Sequence, residues 1–164
     1  MFFRSVSLIL ICSGISLAVI GCGGAQRPPG MPKLYHATVS VVQDGKPLAE
    51  AIVSLVPRDA GNQWSSGGVT DSKGQLTLTT YGQFPGVPAG QYKVCITKQE
   101  RVGELDFSNP ASPKGNQELF EVVDPIFKSE ATTTQEMEVS SKGKNHFIFD
   151  VGKPVKIKAA VPGV

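Results

Sequence analysis

Cysteine is scarce, and its placement excludes a disulfide framework. The chain holds Cys12, Cys22 and Cys95. The first two belong to the export segment read below, which leaves Cys95 without a partner in the chain. Charge of one sign is equally scarce: 16 basic against 14 acidic residues, a formal net charge of +2, and no basic block. Nucleic acid is excluded as a partner, because phosphate neutralisation needs clustered Lys and Arg. Histidine is limited to His36 and His146, whereas a zinc site needs three or four converging ligands. His146 and Asp150 fall on one strand face but roughly 13 Å apart at strand rise, so no metal site is predicted. The chain lacks a G-x-S-x-G elbow, a G-x-G-x-x-G loop and the alternating acids of a calcium loop. Ser65-Ser66-Gly67 reads as a loop, and Asp44, Asp71 and Asp124 sit beside Gly, Ser or Pro, where turn chemistry explains them. The sequence therefore predicts no catalytic residue, no cofactor and no enzyme.

What is present begins at the N-terminus. Arg4 is the only charge before the apolar run Val6–Ile20, which is interrupted by Ser7, Ser13, Gly14 and Ser16. That run is shorter than the ~20 apolar residues a membrane-spanning helix needs, and a basic start, a short apolar stretch and small residues form the signal-peptide pattern. Val19-Ile20-Gly21-Cys22 resembles the bacterial lipobox: an aliphatic residue, a tolerant position, a small residue, then cysteine. The resemblance implies cleavage after Gly21, lipidation of Cys22 with palmitate-type chains, and export to a membrane-anchored state. Gly23 and Gly24 stand where an aspartate would signal inner-membrane retention in enteric bacteria, so the outer membrane is the default. The GGAQRPPGMP stretch that follows reads as a flexible tether.

Beyond the tether, short apolar alternations are separated by turn residues, and no amphipathic helical period stands out. Tyr35, Ala37, Val39 and Val41 alternate with His36, Thr38 and Ser40, which predicts a half-buried strand. Asp44-Gly45 predicts a tight hairpin turn, with a second strand from Ala51 to Pro57. Arg58 to Gly68 reads as a polar loop, Asp71-Ser72-Lys73-Gly74 as a turn and Gln75–Thr79 as a strand. In Gly90–Thr97, the residues Tyr92, Val94 and Ile96 share one face. Gln99–Thr133 breaks the rhythm and reads as a long polar loop in which only Leu119–Val123 has strand character. Glu136–Val139 and Phe147–Val151 are expected as a closing hairpin across Ser141–Asn145. Val155–Lys158, after Pro154, has the Lys and Pro protection of an edge strand.

Six to eight short strands with regular turns predict an all-β, antiparallel β-sandwich of about seven strands. Three pieces are familiar: DGKPLAEAIVSLVP, VTDSKGQLTL and VPAGQYKVCIT. With them, Ala37–Thr97 resembles the carboxypeptidase regulatory-like, transthyretin-like (prealbumin-like) sandwich, an Ig-like architecture. The tail from Asp124 to Val151 is similar to the last hairpin of small lipoproteins of planctomycete-type bacteria. The family includes one enzyme, 5-hydroxyisourate hydrolase, whose C-terminal Tyr-Arg-Gly-Ser this chain does not have, so that activity is not carried over. Such a sandwich specifies a fold better than a function.

The organisation expected is a leader over 1–21, lipidated Cys22 and tether over 22–33, a sandwich over 34–159 with a 99–133 insertion, and a 160–164 tail. Within the insertion Leu119, Phe120, Val122, Val123, Ile126 and Phe127 are grouped. Phe120 and Phe127 are candidates either for covering the sandwich or for contacting another envelope protein. Trp64, Tyr81 and Phe84 lie in loops, and Trp64 is the candidate glycan contact if those rings cluster. The expected role is a non-catalytic, lipid-anchored module of the cell envelope, structural or protein-binding; a surface carbohydrate-binding module is the alternative. Strict alternation puts Cys95 on the face opposite Tyr92, and an exposed thiol is a liability in an oxidising compartment, so the 99–133 segment is expected to cover it.

Overall fold

The computed structural model describes residues 26–106, 114–115 and 117–159. The expected leader 1–21 with Gly21, the cysteine Cys22, residues 23–25 of the expected tether, the 107–113 stretch, residue 116 and the 160–164 tail lie outside the described residues. In chain order the first strands are β1 (Leu34–Tyr35), β2 (Ala37–Gln43), β3 (Lys46–Pro47), β4 (Ile52–Pro57), β5 (Ser66–Val69) and β6 (Gln75–Thr77). There follow β7 (Thr79–Thr80), β8 (Phe84–Pro85), β9 (Val87–Pro88), β10 (Gly90–Thr97), β11 (Gln99–Val102) and β12 (Leu105–Asp106). The last are β13 (Lys114–Gly115), β14 (Glu118–Glu121), β15 (Glu136–Val139), β16 (Asn145–Asp150) and β17 (Ile157–Lys158). One 3₁₀ turn, Pro125–Phe127, is capped by the Asp124 carboxylate.

The protein is an all-β sandwich. Its larger sheet runs β15-β10-β4-β5-β7-β8, and its second runs β16-β2-β3 with β6 also on β2. Successive side chains of a strand point to opposite faces, so the alternating sequences fill one core from both sheets. Ala37, Val39 and Val41 of β2 are buried against Val53 and Leu55 of β4, Tyr92, Val94 and Ile96 of β10, and Met137 and Val139 of β15. Each such burial stabilises by about 1.5–3 kcal/mol.

The turns follow their residues. Val42 pairs with Pro47 and Gln43 with Lys46, leaving Asp44 and Gly45 as a two-residue loop with φ of 50° and 72°. Positive φ at both positions is the type I′ geometry that matches strand twist. Asp71 Oδ1 accepts the amides of Lys73 and Gln75, each at 2.8 Å. At Gly74 (φ +70°) a Cβ would lie 2.6 Å from the Val41 carbonyl oxygen, so a side chain there would push the turn off β2. Tyr92 explains the Pro-x-Gly-x-Tyr run: its hydroxyl donates to the Pro88 carbonyl at 2.8 Å and accepts from Asn62 Nδ2 at 2.9 Å.

Four expectations are corrected. Gln75–Thr79 is not one strand: it breaks at Leu78 into β6, which pairs with β2 in the second sheet, and β7, which pairs with β5 in the larger one. Glu136–Val139 and the following strand do not form a hairpin: β15 pairs with β10 in the larger sheet, whereas β16 lies parallel to β2 in the second. The Ser141–Asn145 turn crosses between sheets, and Asn145 anchors it by accepting the Ser140 amide and donating to the His36 carbonyl. The Arg58–Gly68 loop ends earlier than expected, because Ser66–Val69 forms β5 against β4. The 99–133 segment is not one long loop. Its β11 pairs antiparallel with β14, and β17 closes a three-stranded sheet β11-β14-β17. As expected, β17 is an edge strand.

Candidate functional site

Two places hold the candidate residues. The first is the end of the sandwich where residues 30–35 lie. Pairing of β1 with β9 brings Pro32, Lys33 and Tyr35 against Asn62, Trp64 and Gln91 around a cleft of about 460 Å³. The Lys33 ammonium lies 5.4 Å from the centre of the Tyr35 ring, a cation–π distance. Trp64 and Tyr81 meet with centroids 5.6 Å apart and planes tilted by 57°, whereas Phe84 of β8 is buried apart from that pair. Two of the three loop aromatics therefore cluster and the third does not. Tyr81 is 43 % exposed and holds φ of 54°, a left-handed conformation that costs a bulky residue about 1 kcal/mol or more. Its amide donates to the Ser65 carbonyl at 2.9 Å, which holds it beside Trp64.

Two polar side chains of this cleft, Asn62 and Asp59, are bound into the fold. Asn62 donates to Tyr92 and accepts the Trp64 amide at 3.1 Å. Asp59 Oδ1 accepts the Gly61 amide at 2.9 Å. Burial pushes the Tyr92 phenol above its ordinary pKa, and the Asn62 hydrogen bond opposes that rise.

The second place is the three-stranded sheet and the turn after it, and the structure separates the two phenylalanines. Phe127 packs against the hydrophobic core, and its turn lies on β10. Phe120 of β14 is only half-buried and is covered by Lys156, whose ammonium lies 4.6 Å from the ring centre. Beside it Glu121 is 6 % exposed. Burial pushes the Glu121 carboxyl up, but hydrogen bonds from Lys128 and Gln99, each 2.8 Å, and the Lys128 charge outweigh it and hold the pKa below the ordinary range. Cys95 is buried, on the outer side of β10 as alternation requires. Its thiol is pushed up first by burial and then by the Glu130 carboxylate.

His36 is exposed and joins nothing catalytic among the described residues. His146 Nδ1 lies 2.8 Å from the Thr38 hydroxyl, beside a cleft of about 360 Å³ that Asp71 also lines. Asp71 is committed to its turn, so the three do not form a relay. This pairing carried no sequence signal, because it follows from the parallel register of β16 on β2. No group of three His, Cys, Asp or Glu suited to a metal ion occurs among the described residues.

The fold and these sites define an all-β sandwich, with a cleft at the end where β1 pairs with β9 and a small appended sheet. No family model matches the chain, and no curated protein does. Among solved structures, a 9R-lipoxygenase from Cyanothece PCC8801 aligns at 16% identity and a TM-score of 0.30, covering 77% of this chain. The chain spans 17% of that protein's length, and at that TM-score the likeness carries no argument about fold or activity.

Proposed function

We propose that the protein is a non-catalytic, lipid-anchored module of the cell envelope, structural or protein-binding in role, with a carboxypeptidase regulatory-like or transthyretin-like sandwich as its folded part. The observation that carries the reading is the order of parts: Val19-Ile20-Gly21-Cys22, a Gly- and Pro-rich tether, then a sandwich that starts at Leu34. The lipid on Cys22 makes the anchor. One acyl chain binds only marginally, and the two or three of a mature lipoprotein hold permanently. The commitment of Asn62, Asp59 and Asp71 to backbone and turn bonds supports a role without chemistry. In this reading Cys22→Ala leaves the protein unprocessed or free of the membrane fraction. Normal maturation of that variant, with continued membrane partition, would overturn it.

A second reading, a surface carbohydrate-binding module, is favoured by the Trp64–Tyr81 pair beside the 460 Å³ cleft, since aromatic faces stack on sugars. Gly30 and Pro32 line that same cleft, so it lies within roughly 30 Å of the anchor when the tether is extended. A glycan bound there belongs to a layer close to the membrane. Binding on a glycan array that Trp64→Ala abolishes would establish this reading; no binding by the unsubstituted protein would remove it.

A further inference from the structure

We propose that β16 is the contact strand of a two-fold symmetric dimer, in which the edges of two copies pair antiparallel with His146 of one opposite Ile148 of the other. An open edge offers unpaired N–H and C=O groups, and proteins protect such edges with proline, charge or shortness. The other edges here are protected in those ways. Among them β8 ends in Pro85, β3 is Lys46–Pro47, β17 follows Pro154, β11 is fully exposed and charged, and β15 carries Glu136 and Glu138. The exception is β16, six residues long, without proline, at the end of its sheet. Its Ile148 is 67 % exposed, more than any other large apolar side chain among the described residues.

The direction of the free groups follows from the ladder. Val151 donates to the Val42 carbonyl at 3.0 Å, so the odd-numbered residues of this parallel strand turn their peptide groups to β2. Those of His146, Ile148 and Asp150 turn outward. The Gln135 side chain, coming from outside, donates to the Asp150 carbonyl at 3.2 Å, which agrees with that assignment and caps one end of the row. The free stretch is thus centred on Phe147. An antiparallel partner placed with its two-fold axis there makes His146 and Ile148 hydrogen-bonded pairs, each exchanging both backbone bonds.

Charge argues that the occupant is a second copy. Lys142 and Lys144 precede the strand and Asp150 ends it, all exposed. Antiparallel self-pairing sets Lys144 opposite Asp150 at both ends, and opposite charges directly across a ladder attract. Among the described residues no ion pair uses Lys144 or Asp150, and only one carboxylate oxygen of Asp150 is taken, by the Gly152 amide at 2.8 Å. The same axis brings the half-buried Phe147 of each copy together on the core side and sets Ile148 of each copy beside His146 of the other on the outer face. A two-fold contact of this kind closes on itself and does not propagate into a fibre.

The proposal does not rest on lipid anchoring and survives its failure. Two full-length chains with different tags, one carrying His146→Cys and the other Ile148→Cys, are expressed together and oxidised. Facing Cα atoms in such a pair sit about 5.5 Å apart, within disulfide range, so a mixed disulfide is expected. A control pair carrying Ile52→Cys and Val69→Cys, exposed on the other sheet, should give none. Asp150→Lys should lower the yield by about fivefold, and adding Lys144→Asp to it should restore the yield. The unsubstituted protein should have a dimer mass in mild detergent. A mass that stays monomeric at every concentration, a mixed disulfide no stronger than the control, or a yield indifferent to the charge reversal would each overturn the dimer.

Discussion

The two-sheet sandwich and the small sheet β11-β14-β17 are both β-structure, yet they are held by different forces. The sandwich buries its alternating side chains to within a few per cent of complete exclusion from water. In the small sheet β11 is exposed at all four positions, and polar and charged contacts tie the strands: Gln99 and Lys128 to Glu121, Lys158 to Glu118 at 2.6 Å, and Lys156 over Phe120. Exposed ion pairs contribute little, typically 0–1 kcal/mol. The comparison teaches that strand formation and core formation are separable here, and that the small sheet is the part able to open while the sandwich stays closed.

Mutation should expose that difference most strongly in the sandwich. Ile96→Ala removes a fully buried side chain between the sheets and should cost about 2–5 kcal/mol, whereas Val102→Ala on β11, 43 % exposed, should stay within about 0.5 kcal/mol. Chemical denaturation of both variants measures the contrast, and equal losses would break it. Phe127→Ala should follow, since that ring joins the core. Phe120→Ala, losing a half-buried ring and a cation–π contact, should shift melting less. If the order is reversed, the small sheet is structurally the more important.

Tyr92→Phe removes the hydroxyl that joins Pro88 and Asn62. It should cost about 1–3 kcal/mol, because partly buried polar groups lose their partner. The smallest effect belongs to Glu121. Its pKa is lower folded than unfolded, so its contribution is complete above the unfolded value, about 4.3, and is lost as pH falls through the folded value. Corrected for the intrinsic rate, the hydrogen-exchange protection of β11 and β14 should therefore fall below about pH 4.3 before that of β4 and β10. Glu121→Gln should flatten that pH dependence at a cost of about 1 kcal/mol, kept small by the exposure of Lys128.

Legibility in the sequence tracked this same division. Tyr92, Val94 and Ile96 could be assigned to one face because a period of two has one physical cause, a sheet with one dry side. Asp44-Gly45 could be assigned to a turn because few residue pairs accept two positive φ angles. In β11, Gln-Glu-Arg-Val offers no such alternation, and backbone pairing with β14 leaves no trace in side-chain polarity. The separation of β15 from β16 was hidden for another reason: two apolar strands joined by Ser141–Asn145 look alike whether they pair with each other or lie in opposite sheets. At the candidate site, Trp64 was visible as a loop aromatic. Its contact with Tyr81, and that of His146 with Thr38, depend on long-range register that no local pattern encodes.

The parallel pairing of β16 with β2 also sets the order in which the chain can assemble. Thr38 and His146 lie 108 residues apart, so the first long strand waits for almost the whole sandwich before its neighbour exists. Until then one side of β2 is an unpaired template, and the Phe149 and Val151 part of the core is missing. Contacts this distant slow folding, because loop closure is completed before it is rewarded. A chain still lacking β16 stays short of its native core for the same reason. Its last sandwich strand is the latch, and a nascent chain halted before residue 145 has the whole larger sheet and no closed core.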